Sequence, residues 1–256
     1  MTDKAEILFK DAVDGDAEVL KKLSSLAEEG DVEAMMQLGR LYDEGGPAWI
    51  DTDMAVARSW YKKAAEAGQP MGQMAYGDMC QFGLGGDVDL DSAFKWYLAA
   101  AEQGEPESQM HVGRFYQTGR IGDPDLDAAK FWYERAIENG HELAATNLGM
   151  ILYEVEQKEN DREKVFKLFS FAADKGDGLA HLYLGEMYMN GHGVEQHGGK
   201  ALLHYSIAEA LMPEGQNRTT ASERKEHCLG EYPDLRDEFV ERTNAYLAGK
   251  GYSRFQ

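Results

Sequence analysis

The feature that most constrains this chain is an internal repeat of about 36 residues. The block Leu-Gly-Arg-Leu-Tyr at residues 38–42 recurs four more times, with substitutions. Its glycine returns in steps of 38, 36, 36 and 36 residues, at Gly39, Gly77, Gly113, Gly149 and Gly185. A second block, which begins as Trp60-Tyr61 before Ala64-Ala65, follows each first block. A fixed period of this length predicts a solenoid in which each repeat is one supersecondary unit.

Each repeat is predicted to form two helices. In the first block, Ala34, Leu38, Leu41 and Tyr42 have the spacing of one buried helical stripe. The second block has the same kind of stripe. Glycine follows its last apolar turn in the first four repeats, at Gly68, Gly104, Gly140 and Gly176. Helices commonly stop at glycine in this position.

The glycine of the first block lies inside a predicted helix, where glycine costs about 1 kcal/mol relative to alanine. Five copies at one register imply a packing reason, and we expect a neighbouring helix to approach closely there. The links between the two helices of a repeat are rich in turn residues. The fourth link, residues 154–161, has no glycine, so we expect this corner to be built differently.

The repeats are predicted to occupy residues 31–212. Their individual bounds are predicted at 31–68, 69–104, 105–140, 141–176 and 177–212. Residues 1–30 and 213–256 are expected to cap the two ends, which favours a monomer. A helix over 233–249 is expected to turn four residues inward: Leu235, Phe239, Tyr246 and Leu247. The predicted fold class is all-α, a right-handed α/α superhelical solenoid.

The charge of the chain narrows its function. Lys and Arg number 26 against 46 Asp and Glu, which gives a formal net charge of −20. This charge argues against nucleic acid as a partner, because phosphates need a basic face, and against an anionic membrane surface. It favours a cationic partner. The sequence has no run of eighteen apolar residues, so no membrane span is expected.

The cysteines and the N-terminus favour a cytoplasmic location. Cys80 and Cys228 are 148 positions apart and form no pair of metal-binding or redox type. The first six residues include two acids, with no apolar run behind them, so no secretory signal is expected in the sequence as given. Cys80 takes the place of the repeat tyrosine and is predicted to be buried. Cys228 is then the only thiol that could be accessible.

The repeat consensus resembles a known family. The pattern is Ala-x-x-x-Leu-Gly-x-x-Tyr-x-x-Gly, a short loop, then Asp-x-x-x-Ala-x-x-Trp-Tyr-x-x-Ala-Ala-x-x-Gly. It resembles the Sel1-like repeats, which are relatives of the tetratricopeptide repeats, over residues 31 to 212. The resemblance implies an α-solenoid that acts as an adaptor or interaction scaffold, in a family where most members are not enzymes. Some secreted bacterial members hold each repeat with a disulfide, and this chain lacks those cysteines.

The resemblance also implies that the first helix of each repeat lines a concave groove. Groove positions lie two before the leucine, one after the glycine and one after the tyrosine of the first block. The first row is Met36, Met74, Met110, Thr146 and Leu182. The second row is Arg40, Asp78, Arg114, Met150 and Glu186. The third row is Asp43, Gln81, Gln117, Tyr153 and Met189.

The three methionines and the leucine of the first row predict an exposed apolar stripe that binds a partner. Two other interpretations stay open, namely that these rows turn into the core or that they are a solvated helix face. Arg40 and Arg114 are candidates to pair with an acid on a ligand. They are equally good candidates to pair with Asp43 or Asp78 inside the array, where an exposed pair contributes little.

No metal or cofactor is predicted. The stretches 87–91 and 123–127 resemble the start of calcium loops, but neither has the glycine that an EF-hand needs at position six. Capping of the following helix and pairing with its dipole explain these aspartates better. His192, Glu195 and His197 share a glycine-rich loop and are loose zinc candidates, although such a loop is more often a solvated turn.

No catalytic motif is present, since the sequence has no Gly-x-Ser-x-Gly elbow, phosphate loop or His-Glu-x-x-His helix. The leading hypothesis is a non-enzymatic scaffold or adaptor that holds a protein or peptide, favoured to be basic, in its groove. The alternative is an immunity or antitoxin-type protein that masks a basic toxin or effector. A hydrolase is a remote alternative.

Overall fold

The computed structural model describes Phe9 and residues 17–45, 51–156 and 161–249, with only the backbone described at 17, 155–156 and 235–241. These residues form thirteen α-helices and no strand. The chain divides into two compact units, Met1–Asn139 and Gly140–Gln256. The fold is an all-α solenoid of helical hairpins, as the repeat predicts.

The described residues of the first unit form seven long helices: α1 Ala17–Glu28, α2 Val32–Glu44, α3 Met54–Glu66, α4 Pro70–Phe82, α5 Leu90–Glu102, α6 Pro106–Thr118 and α7 Leu126–Glu138. The described part of the second unit forms six: α8 Ala144–Met150, α9 Arg162–Asp174, α10 Gly178–Asn190, α11 Gly198–Leu211, α12 Gln216–Glu231 and α13 Arg236–Gly249. A π-helical turn, Ile151–Glu156, continues α8, and a 3₁₀ turn, Pro233–Leu235, precedes α13.

The repeat glycines allow close packing between the two helices of a hairpin. A Cβ atom built on Gly77 would lie 2.8 Å from the ring of Tyr97, and one on Gly113 would lie 2.7 Å from the ring of Tyr133. These distances are shorter than carbon atoms tolerate, so the aromatic ring occupies the space that a side chain would fill. The expected packing reason for the glycines is confirmed.

The aspartates of the links cap the following helices. Asp89 accepts a hydrogen bond from the backbone N–H of Ser92 at 3.0 Å, and Asp125 accepts one from that of Ala128 at 2.9 Å. Both bonds satisfy donors that a helix N-terminus leaves free. The capping interpretation of the stretches 87–91 and 123–127 is therefore confirmed.

One backbone hydrogen bond closes four of the five links. The N–H of the residue that caps the second helix donates to the carbonyl of the tyrosine position in the first helix. The four pairs, donor first and at 2.8 to 2.9 Å, are Asp53–Tyr42, Asp89–Cys80, Asp125–Tyr116 and His197–Tyr188. In the fourth repeat, α8 runs on as a π-helical turn and Asp161 makes no side-chain cap bond. This corner differs from the others, as its lack of glycine predicts.

The two cysteines are both buried. Cys80 lies in the core, which confirms its predicted place. The prediction that Cys228 could be accessible is wrong, because α12 packs against α11 and brings the Cys228 thiol to the carbonyl of Gly198 at 3.4 Å. Gly198 has no side chain to hold the two helices apart at this point.

The C-terminal helix α13 packs against α11. Leu247 is buried and Tyr246 is half-buried, as predicted for two of its four inward residues. The other two, Leu235 and Phe239, lie outside the residues whose side chains the structure describes.

Candidate functional site

A cavity of about 440 Å³ lies in the Met1–Asn139 unit, where the first helices of three successive repeats meet. Its polar lining comprises Asp43 of α2, Asp78 of α4, and Glu107, His111 and Arg114 of α6. Its remaining lining comprises Tyr61, Ala75, Met79, Phe82 and Leu84. We call this site the acidic cavity, because three carboxylates from three repeats share it.

Two large apolar side chains on the acidic cavity are open to solvent. Phe82, at the end of α4, is 59% exposed, and Leu84, in the following link, is 37% exposed. Most described apolar side chains of this size in the unit are buried or half-buried. The acidic cavity therefore offers both charge and apolar surface to a ligand.

Three hydrogen-bonded pairs organise the polar side of the acidic cavity. The Tyr97 hydroxyl donates to Asp78 Oδ1 at 2.6 Å, and the Tyr61 hydroxyl donates to Asp43 Oδ2 at 3.4 Å. Arg114 Nη2 lies 2.9 Å from His111 Nδ1. An arginine can only donate, so Nδ1 accepts and a neutral His111 carries its proton on Nε2, which lies 4.0 Å from Asp78 Oδ1.

Burial raises the pKa of the Asp78 carboxyl above its usual range, while the hydrogen bond from Tyr97 opposes this rise. The negative charge of Glu107 also raises the pKa of Asp78, and the positive charge of Arg114 lowers it. The carboxylate thus carries a desolvation cost that these neighbours do not fully offset. A cation placed beside it would lower the pKa and stabilise the charged form.

Three of the fifteen predicted groove residues line the acidic cavity: Asp43, Asp78 and Arg114. Arg40 is exposed and pairs with Glu44 at 3.5 Å, which is neither of the partners expected within the array. Gln117 is half-buried and accepts a hydrogen bond from the Tyr133 hydroxyl at 2.7 Å. Met150, Tyr153 and Met189 are half-buried in the second unit. Binding of a partner by these residues stays a prediction.

The first row is not the exposed apolar stripe that the sequence predicts. Met36, Thr146 and Leu182 are buried, so the open alternative, that the row turns into the core, holds for them. Met36 belongs to a core cluster with residues of α1, and Leu182 to one with residues of α11 and α12, because adjacent helices cover this helix face. Met74 and Met110 are half-buried. Gln81 of the third row is also buried, at 6% exposed, which corrects its predicted place in an open groove.

Sequence reasoning missed the rest of the lining, most notably Glu107 and His111. A signal was available, because Glu107, His111 and Arg114 are spaced i, i+4 and i+7 and therefore share one helix face. Phe82 and Leu84 gave no such signal, since their exposure depends on how the link after α4 turns.

The second unit fills its equivalent acidic position internally. Glu186 follows Gly185 as Asp78 follows Gly77, and its Oε1 lies 2.7 Å from Arg224 Nε of α12. A separate cavity of about 470 Å³ in this unit is lined, among the described residues, by none of the fifteen predicted groove residues.

The histidines of the glycine-rich loop have other partners. His192 Nδ1 lies 3.1 Å from the Tyr153 hydroxyl, and His197 caps α11 by accepting from the Lys200 N–H at 3.2 Å. In the part of the chain that the structure describes, no three His, Cys, Asp or Glu side chains come together in a metal-binding arrangement. Within the same described residues, no helix combines the length and apolar character that crossing a membrane requires.

The Sel1 repeat family model matches the chain five times, at residues 32–69, 70–105, 106–141, 143–177 and 178–211. Among solved structures, a Sel1 repeat protein from Oxalobacter formigenes has 25% identity and a TM-score of 0.72, with 88% of this chain and 96% of that chain covered.

Two further solved structures are more distant. The c5321 protective antigen of uropathogenic Escherichia coli, described with an SLR fold, has 21% identity and a TM-score of 0.52, covering 90% of this chain and 64% of that chain. This likeness shows the fold alone. The immunity protein Pa5087 from Pseudomonas aeruginosa has 16% identity and a TM-score of 0.46, with 80% of this chain and 82% of that chain covered. A TM-score this low supports no functional argument.

No curated protein has a sequence significantly similar to this chain. The five family matches agree with the hairpins, the packed glycines and the capping aspartates seen in the structure, and Sel1 repeats commonly serve as protein-interaction scaffolds. The chain belongs to the Sel1 repeat family.

Proposed function

We propose that this protein is a non-enzymatic scaffold that binds a protein or peptide with basic side chains at the acidic cavity. The observation that carries the proposal is the meeting of Asp43, Asp78 and Glu107, each from a different repeat, in one solvent-connected space. The exposed side chains of Phe82 and Leu84 supply apolar surface beside them. This combination suits a peptide segment with a cationic and an apolar residue.

The binding mechanism has an electrostatic and a contact stage. The net charge of −20 attracts a basic partner over several ångströms and raises its rate of encounter. Pairing with the half-buried Asp78 then takes place with less solvent screening than pairing on an open surface. We therefore expect association to weaken as salt increases, with a salt-resistant part that comes from contacts with Phe82 and Leu84.

The composition of the acidic cavity supports binding over covalent catalysis. Among the described residues, its lining includes no serine, threonine, cysteine or lysine. Its histidine and arginine contact each other, and two of its carboxylates, Asp43 and Asp78, accept hydrogen bonds from tyrosine hydroxyls. These contacts position charge for a ligand and supply no nucleophile with an adjacent base.

Capture from the host lysate with cross-linking and mass spectrometry tests the proposal. The baits are the unchanged chain, the double variant Asp43→Asn/Asp78→Asn, and Glu102→Gln, which removes an exposed charge outside the acidic cavity. We expect a partner that the unchanged chain and Glu102→Gln retain and that the double variant loses. A partner held equally by all three baits would overturn the assignment of the acidic cavity. Circular dichroism confirms that each bait is folded.

A second candidate function, an immunity protein that masks a basic toxin, is favoured only by the net charge of −20. It predicts a single dominant basic partner that leaves at high salt. Several partners with unrelated sequences would favour the adaptor.

A further inference from the structure

In the second unit, the carboxylate that follows the repeat glycine forms an ion pair with an arginine of the same chain. Arg224 of α12 reaches across to α10 and places its Nε 2.7 Å from Glu186 Oε1. The Glu186 side chain is only 19% exposed, so the pair is partly withdrawn from solvent. The chain thus supplies an arginine from another helix to this carboxylate.

The carboxylates of the acidic cavity receive no such partner from the described part of the chain. Among the described residues, Asp43, Asp78 and Glu107 form no ion pair with a lysine or arginine. Arg114 shares the acidic cavity but directs Nη2 to His111. Asp78, at the register position of Glu186, bonds to the neutral hydroxyl of Tyr97. The position that holds an arginine in one unit is open to a ligand in the other.

The surroundings of the open position suit a guanidinium. Tyr61 and the exposed ring of Phe82 line the same cavity as the carboxylates. Arginine is planar, stacks on aromatic rings and bonds carboxylates through two parallel N–H groups. Lysine is a more strongly hydrated point charge and makes neither contact as well.

We infer that the acidic cavity binds an arginine side chain of the partner protein, with its guanidinium shared by Asp43 and Asp78 and its aliphatic stem against Phe82. This inference rests on the proposed function, since it names the residue that the scaffold recognises. It is carried by charge complementarity in a defined cavity and by the arginine that the same chain places at the matching position of its second unit.

Peptide titration on the full chain tests the inference. The probe is the capped peptide acetyl-Gly-Phe-Arg-Phe-Gly-amide, compared with versions in which lysine or neutral citrulline replaces arginine. Binding is followed by NMR, through the ring signals of His111 and the amide signals of α4. We expect the arginine peptide to bind at least about tenfold more tightly than the citrulline peptide and several-fold more tightly than the lysine peptide.

Two variants locate the site. Asp78→Asn and, separately, Asp43→Asn should each abolish the preference for arginine over citrulline, while Glu102→Gln keeps it. Asparagine retains an oxygen that can accept from Tyr97 or Tyr61, so both variants are expected to fold. The inference is overturned if citrulline binds as well as arginine, if both variants keep the preference, or if the arginine peptide does not bind at millimolar concentration.

The two proposals can fail separately. A captured partner that depends on Asp43 and Asp78, together with no preference for the arginine peptide, would keep the proposed function and reject the arginine. A captured partner that ignores both aspartates would reject the proposed function itself, whichever peptide binds.

Discussion

The two units build the same ring stack at the same repeat position and give it different polar partners. In the Met1–Asn139 unit, Tyr97 stacks on His111 with ring centroids 4.5 Å apart and planes 7° apart. In the Gly140–Gln256 unit, Phe169 stacks on Tyr183 at 4.8 Å and 6°. The Tyr97 hydroxyl donates to Asp78, whereas in the second unit the hydroxyl comes from Tyr183 and donates to Glu154.

The difference separates what the repeat determines from what single residues determine. Ring positions are nearly identical because a glycine of the first helix lies under each ring, Gly77 under Tyr97 and Gly149 under Phe169. The polar partners of the ring hydroxyls vary: Tyr61 and Tyr133 donate to Asp43 and Gln117, which share one repeat position, whereas Tyr97 donates to Asp78 at another. The repeat thus provides a scaffold of constant geometry on which the ligand chemistry changes from one copy to the next.

The largest expected effect comes from removing the space under the rings in both units. Alanine at Gly77 or Gly149 would place a Cβ 2.8 or 2.7 Å from the ring above it. Because these rings are fully buried, each substitution is expected to lower the free energy of unfolding by about 2–3 kcal/mol. Urea denaturation followed by circular dichroism measures the loss.

Gly230→Ala is the matched control, because nothing lies within 4 Å of its added Cβ, and it should be neutral or slightly stabilising. Equal stability of all three variants would show that the rings can move aside.

A smaller effect, confined to the second unit, is expected from pH. His204 Nδ1 lies 2.9 Å from His181 Nδ1, and Lys200 is nearby. The ring of Tyr188 stacks on His204, and the Tyr246 hydroxyl hydrogen-bonds to His181. Burial, then His181 and then Lys200, lowers the pKa of His204 to about 3 from 6.5. Below pH 6.5 the unfolded chain protonates this histidine while the folded protein keeps it neutral. The free energy of unfolding is therefore highest above pH 6.5 and falls as the pH drops toward 3. The loss at pH 5 is expected to reach about 2 kcal/mol.

Urea denaturation at pH 7.5 and pH 5.0 checks this value, with NMR titration of the His204 ring as a direct measurement. The variant His204→Phe keeps the aromatic stack and should show a smaller loss between the two pH values. A His204 signal that titrates near pH 6.5 in the folded protein would contradict the prediction.

The smallest effect is expected from exchanging the ring types between the units. Tyr97→Phe removes the donor to Asp78 and is expected to cost about 1 kcal/mol. Phe169→Tyr should bring no matching gain in the free energy of unfolding. In the fourth repeat, Met150 occupies the position that Asp78 occupies in the second repeat, and it has no carboxylate. The two free energies of unfolding, compared with that of the unchanged chain, test the idea that polar chemistry is local. A gain from Phe169→Tyr equal to the loss from Tyr97→Phe would reject it.

Sequence reasoning predicts the helical scaffold well, because its signals are local. The glycine register, the capping role of Asp89 and Asp125 and the burial of Cys80 all follow from spacing within one repeat. The departure of the fourth corner follows from the absence of glycine there. None of these requires knowledge of how one repeat sits on the next.

The candidate site is harder to predict, because it depends on which neighbour covers each helix face. Met36 and Leu182 have the composition of an exposed stripe, yet residues of α1, and of α11 and α12, cover them. Cys228 is buried for the same kind of reason, through the contact of α12 with Gly198. Phe82 and His111 gain their place in the acidic cavity from the packing of three repeats.

The backbone bond that closes four of the five links is compatible with links of different length. In the first repeat this bond joins positions 42 and 53, eleven residues apart, whereas in the second it joins positions 80 and 89, nine apart. The two additional residues change the step between glycines from 36 to 38, and yet the Asp53–Tyr42 bond has the same length class as the others, at 2.8 Å. Evolution can therefore lengthen this segment without shifting the phase of the helices that follow. We therefore expect a short epitope inserted into the link of the first repeat to leave the following helices in register.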